Sequence, residues 1–147
     1  MGEIYQKITL APSTVSTADS INLVRKKMTK AEPVNRSIYV VDESNKLLGI
    51  ITLKELLKVL AVRGGISSGE IPTRGKLLCY ISANTTAKDI MRPPTSVKTT
   101  DSLEKALEIF VSHGLEELPV VDENNVVIGD LDAYELLGEM QFKSSGS

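Results

Sequence analysis

The chain has 147 residues, enough for one domain with a sizeable core, and a formal net charge of −2 that supplies no electrostatic footprint for nucleic acid. A single cysteine, Cys79, excludes an intrachain disulfide and a cysteine-rich zinc site, and no window approaches the roughly 18 apolar residues of a membrane span. The opening MGEIYQKI has no signal-peptide core, which predicts a cytoplasmic protein or a piece of one.

In chain order, a short extended piece is expected around Thr14–Ser16, followed by a helix that Asp19 caps and that carries Ile21, Val24 and Met28 at helical spacing. Ser37–Val41 reads as a strand, DESNK as a hairpin turn, Leu47–Ile51 as a second strand and Leu53–Val62 as a helix. The stretch 63–88 holds Gly64, Gly65, Gly69, Pro72 and Gly75; it reads as a flexible linker, with KLLCYI left open between strand and helical turn. The pattern then recurs. Ser96–Lys98 is extended, and Asp101 caps a helix with Glu104 as its reciprocal partner and Leu103, Ala106, Leu107 and Phe110 on one face. Leu118–Val121, the turn DENNV, Val127–Leu131 and a helix over Ala133–Met140 complete it. The final KSSGS reads as a disordered tail.

The recurrence is literal. YVVDESNKLLGIITLKELL (39–57) aligns without a gap on PVVDENNVVIGDLDAYELL (119–137), and PSTVSTADSI (12–21) on PTSVKTTDSL (94–103). A long period present twice argues for two packed halves rather than a solenoid. The expected organisation is repeat 1 over 1–62, linker 63–88, repeat 2 over 89–141 and a tail 142–147.

With AKDIM, TTDSLEKAL, HGLEELPVVD and GDLDAYELL in order, repeat 2 resembles a cystathionine-β-synthase (CBS) domain. Residues 12–62 resemble a more divergent copy, so nearly the whole chain is similar to a tandem CBS pair, or Bateman module. The resemblance implies an α/β (α+β) fold of two β-α-β-β-α repeats packed about a pseudo-twofold axis. It also implies adenosine-ligand clefts between the halves, a regulatory role toward an attached or partner protein, pairing into a homodimer, and no chemistry in the module.

Transferred residue by residue, the family's Gly-x-x-[Ser/Thr]-x-x-[Asp/Asn] motif falls on Gly49, Thr52 and Glu55. Thr52 is the expected phosphate-facing hydroxyl, Lys54 an added cation, and Glu55 the ribose acceptor, one methylene longer than usual. Ile90, Pro94, Thr95, Leu115 and Glu116 complete this site B. In repeat 2 the motif is Gly129, Asp132 and Glu135, with Pro12, Ser13, Asn35, Arg36 and Ser37 as the opposite wall of site A. Asp132 is a good cap but repels phosphate, so site A is expected to be degenerate. The ligand expected is AMP, ADP, ATP or S-adenosylmethionine.

Plainer readings stand beside these. Thr52 and Asp132 serve as helix caps, and Glu55 and Glu135 as favourable first-turn charges. Glu116, Glu117, Asp130 and Asp132 are the residue types a hard cation uses, but no metal site is expected. His113 suits the end of its helix. Leu56, Leu57, Leu60, Leu136 and Leu137 exceed the needs of one small core and predict a two-fold dimer. A ligand-free interaction module with vestigial clefts is the alternative function. An enzyme lacks a nucleophile–base pair or metal cluster to support it.

Overall fold

A computed structural model describes residues 12–30, 36–65 and 84–139 of the chain. Repeat 1 runs β1 (Thr14–Ser16), α1 (Ile21–Lys30), β2 (Ser37–Val41), β3 (Leu47–Thr52) and α2 (Leu53–Arg63). A short helix, α3 (Ala87–Ile90), follows. Repeat 2 runs β4 (Val97–Lys98), α4 (Leu103–His113), β5 (Glu117–Val121), β6 (Val127–Asp132) and α5 (Ala133–Glu139). The result is a mixed α/β fold with two three-stranded sheets, ordered β1-β2-β3 and β4-β5-β6. Asn35, KLLCYI with Cys79, and the tail 142–147 lie outside the described residues.

In each sheet the first pair is parallel and the second antiparallel. A parallel pair needs a crossover, which α1 and α4 supply, whereas a tight hairpin joins the other pair. β2 and β5 are buried at every position. Central strands covered on both faces need no apolar–polar alternation, which is why SIYVV and ELPVV show little. The hairpin turns repeat in atomic detail. Asp42 Oδ1 accepts the N–H groups of Ser44 and Lys46, each at 2.9 Å, and Asp122 Oδ1 accepts those of Asn124 and Val126 at 2.8 and 3.0 Å. Asn45 and Asn125 adopt left-handed φ values of 64° and 66°, a region asparagine tolerates.

The expected caps Asp19 and Asp101 are corrected. Ser20 Oγ accepts the Leu23 N–H and Ser102 Oγ the Lys105 N–H, both at 3.2 Å, so the serines cap α1 and α4. The aspartates stand one residue earlier and close the strand-to-helix turns instead. Asp19 accepts the Ser16 N–H at 2.9 Å and Asp101 the Lys98 N–H at 2.8 Å. With Ser102 as cap, the third helical residue is Lys105, so Glu104 is out of step for a reciprocal cap. Lys105 Nζ instead reaches back to Asp101 Oδ1 at 3.3 Å. α4 ends at Gly114, whose φ of 63° is the left-handed geometry of a helix stop.

Each repeat has its own mainly aliphatic core. Val15, Val24, Met28, Ile38, Val40, Ile51, Leu56, Val59 and Ile90 form one. Val97, Leu103, Ala106, Phe110, Leu115, Leu118, Leu131 and Leu136 form the other. Burying each of the larger of these side chains contributes about 1.5–3 kcal/mol. Of the five leucines assigned above to a dimer contact, Leu56 and Leu136 belong to these cores. At 100° per residue the outward stripe of α2 is Leu53, Leu57 and Leu60 instead, and that of α5 includes Tyr134 and Leu137.

By contacts the chain divides into two compact units, Ser13–Thr95 and a second holding Pro12 and the residues from Ser96 onward. Residues 84–95 therefore sit with repeat 1. The Ile21 N–H bonds to the Thr85 carbonyl, Ala87 N–H to Asp19, Lys88 N–H to Thr17, and Arg92 bridges to Ile50. No helix among the described residues is long and apolar enough to cross a membrane.

Candidate ligand site at the strand–helix junctions

Each repeat brings its polar motif to the point where the third strand runs directly into the last helix. The first N–H of each helix is already taken: Leu53 N–H by the Arg36 carbonyl and Ala133 N–H by the Glu116 carbonyl, both at 2.8 Å. These bonds tie the segments before β2 and β5 to the helix starts, and they place Arg36 and Glu116 beside Thr52 and Asp132 respectively.

At the β3–α2 junction Thr52 has extended backbone (φ −96°, ψ 166°) and is the N-cap of α2. Glu55, three residues on, accepts the Thr52 N–H at 2.8 Å through Oε2, and the Thr52 hydroxyl donates to the same oxygen. Glu55 is buried at 8% exposure although it is charged. Its other oxygen, Oε1, lies 3.8 Å from Arg92 Nε. Burial of this carboxylate is thus matched by two hydrogen bonds and a nearby guanidinium, as a buried charge requires. The same construction recurs at α3, where Asp89 Oδ2 accepts the Thr86 N–H at 2.9 Å and its hydroxyl at 3.2 Å.

The remaining site B residues divide. Lys54 and Pro94 are exposed and Thr95 is half-buried, in the same unit as Thr52 and Glu55. Ile90 is buried in the repeat 1 core. Leu115 is buried in the repeat 2 core, and Glu116 is exposed; both belong to the second unit. Of the site A residues, Ser13 is half-buried, Arg36 exposed and Ser37 buried in the first unit; Pro12, Asp132 and Glu135 are half-buried in the second.

At the β6–α5 junction Asp132 Oδ1 accepts the Tyr134 N–H at 2.7 Å, so it acts as a helix cap. Glu117 pairs across the strands with Asp132, and Pro119 with Asp130. The four therefore share one sheet face, on which Glu117 and Asp130 are buried. Among the described residues no group of three His, Cys, Asp or Glu side chains is placed to hold a metal ion.

Arg92 is the residue at this site that sequence reading passed over. Its charge is visible in IMRPP, but its partner is not, because Glu55 lies 37 positions earlier. Its main chain is pinned by a two-way bridge. Arg92 N–H donates to the Ile50 carbonyl at 2.7 Å, and Ile50 N–H to the Arg92 carbonyl at 3.2 Å.

Two β-α-β-β-α repeats, each ending in a glycine-containing strand that enters a capped helix, define a tandem-repeat module of the CBS type. The sequence profile of the CBS domain matches residues 3–62 and 87–141, and the chain belongs to the CBS-domain family. Its fold matches a CBS domain-containing protein from Thermotoga maritima with a TM-score of 0.77 at 28% identity, over 96% of this chain and 97% of that one. It is similar to the protein CBSX2, solved with AMP (TM-score 0.72, 20% identity, 94% and 95% coverage). It is also similar to a CBS domain pair solved with 5′-methylthioadenosine and S-adenosyl-L-methionine (TM-score 0.72, 19% identity, 94% and 94% coverage). The chain spans between 15% and 44% of the length of three curated relatives that it matches.

Proposed function

We propose that the chain is a regulatory module that senses an adenosine-containing ligand at the β3–α2 junction and acts on an effector protein or domain. The observation that carries this is the junction itself. A hydroxyl residue caps an 11-residue helix, and an acid follows three positions on with a cation beside it. A helix start favours an anion through the positive end of its dipole, although the Leu53 N–H is taken, and a carboxylate accepts ribose hydroxyls. Family membership supports the reading, as do the AMP, methylthioadenosine and S-adenosylmethionine complexes of proteins with the same fold. The two junctions are unequal: Thr52 has a proton to give a phosphate oxygen, whereas Asp132 presents like charge to it.

The test is a titration of the protein with AMP, ADP, ATP and S-adenosylmethionine, read by thermal melting. A ligand at a hundred times its dissociation constant stabilises by about 2.7 kcal/mol. Thr52→Ala costs about 1 kcal/mol as a lost cap without ligand, and the lost bond to a charged phosphate weakens binding roughly 10- to 100-fold. Absence of stabilisation by all four ligands would reject the reading.

A second reading is a module that only associates with another copy of itself. The exposed stripe of Leu53, Leu57 and Leu60 on α2, 45–57% exposed, favours it. This stripe also fits a dimer that binds ligand, and light scattering with and without AMP separates the two.

A further inference from the structure

We infer that Arg92 is a ligand-contacting residue of the β3–α2 junction: the cation that selects a phosphate-bearing adenosine ligand over an uncharged one, exchanging its partner Glu55 for the phosphate. Arg92 plays this part only if the junction binds adenosine ligands, as proposed above.

Placement comes first. The bridge to Ile50 fixes the Arg92 main chain at 2.7 and 3.2 Å against the edge of β3. The neighbouring Gly49 permits that approach, since a β-carbon there would lie 2.8 Å from the Arg92 carbonyl oxygen. The guanidinium therefore departs from a rigid point two residues before Thr52 in the strand register. The anchored main chain adds no ordering cost of its own when the side chain engages a ligand.

The strength of its contact with Glu55 comes second. Arg92 Nε and Glu55 Oε1 stand 3.8 Å apart, with 32% of the arginine side chain exposed. That separation is an ion pair beyond hydrogen-bond length. Partly solvated pairs of this kind are weak, so the Glu55 contact itself opposes an incoming anion little.

Charge and proton count come third. The Thr52 hydroxyl has one proton, which it now gives to Glu55. A phosphate can take that proton only if the hydroxyl turns from Glu55, and it then faces the Glu55 carboxylate as a like charge. A planar guanidinium at the same spot offsets that repulsion and can hold two phosphate oxygens at once. Glu55 retains the Thr52 N–H throughout, so α2 stays capped. Repeat 2 has no such cation in sequence: at the offset that aligns 94–103 with 12–21, Arg92 corresponds to Leu10.

The experiment is calorimetric titration of the parent, Arg92→Gln and Glu55→Gln with AMP and with adenosine. Melting of the unliganded variants serves as the folding control. The parent should bind AMP more tightly than adenosine. Arg92→Gln should weaken AMP binding about 10- to 100-fold, as expected for loss of a charge-assisted bond, and leave adenosine within about threefold. Glu55→Gln removes the competing carboxylate, so the ratio of AMP to adenosine affinity should rise. If Arg92→Gln fails to fold, Arg92→Lys decides the matter: it keeps a charge but not the planar fork, so AMP binding should weaken with adenosine unchanged, and unchanged AMP binding overturns the role. Equal weakening of both ligands by Arg92→Gln, or an AMP affinity it leaves unchanged, overturns the role of Arg92 while the adenosine site stands. An unchanged or falling ratio in Glu55→Gln does the same. A parent that binds neither ligand overturns the adenosine reading and this role with it.

Discussion

Replacing Gly49 with alanine tests whether β3 and the segment after α3 form one packed seam. The added β-carbon would lie 2.5 Å from Met91 Sδ, 2.8 Å from Met91 Cγ and 2.8 Å from the Arg92 carbonyl oxygen. The Met91 side chain is unbranched and half-buried, so it can swing aside. The carbonyl has no such freedom, because Arg92 is bonded to Ile50 in both directions. Relief therefore means straining or opening that bridge. Overpacking costs about 1–3 kcal/mol, and each lost backbone bond adds about 0.5–1.5 kcal/mol. Partial opening gives a total of about 2–4 kcal/mol. At about 3–4 °C per kcal/mol for a chain of this size, Tm should fall by roughly 6–16 °C in a melt followed by circular dichroism. Adding Met91→Ala removes the sulfur and Cγ contacts but not the carbonyl contact, so the double variant should recover less than half of the loss. A Gly49→Ala protein melting within about 2 °C of the parent would refute the reasoning. So would full rescue by Met91→Ala, because the glycine would then be accommodating only a side chain.

Leu56→Ala should cost about 2–5 kcal/mol in urea denaturation, whereas Leu57→Ala, one position on and outward, should change stability by less than about 0.5 kcal/mol in the monomer. Ser20→Ala and Ser102→Ala should each cost about 1 kcal/mol as lost caps, measured by the same method. Gly138 lies in α5 with nothing within 4 Å of an added β-carbon, so Gly138→Ala should stabilise, by up to about 0.5–1 kcal/mol. If the outer stripe pairs two copies, as the dimer reading holds, Leu57→Lys with Leu60→Lys should leave the fold intact by circular dichroism and give a monomeric mass by light scattering where the parent gives a dimeric one.

The duplicated text determined the element order within each repeat and the hairpin turns; the short helix Ala87–Ile90, at the end of the stretch read as a linker, was not expected. The order and the turns depend on local rules: helical spacing in INLVRKKM, Asp-Asn-rich turns between apolar runs, and a hydroxyl or acid at a helix start. β2, for instance, is expected and found at Ser37–Val41 without an end shifting. Local rules failed where two neighbouring residues competed for one role. Asp19 and Ser20 can both cap a helix, and so can Asp101 and Ser102. Only the packed turn, in which the aspartate is committed to the N–H three residues back, assigns the cap to the serine. The rotation of α2 was also undecided in sequence, because Leu56 and Leu57 are adjacent leucines in a helix rich in them; the repeat 1 core, which also holds Val59 and Ile51, takes Leu56. The candidate site divides in the same way. Thr52 and Glu55 could be read from a seven-residue motif, since a cap and its third residue are neighbours in the chain. Arg92 could not, because its meeting with Glu55 depends on a glycine in β3 that lets a distant segment close onto the strand edge, and that approach exists only once the chain has folded.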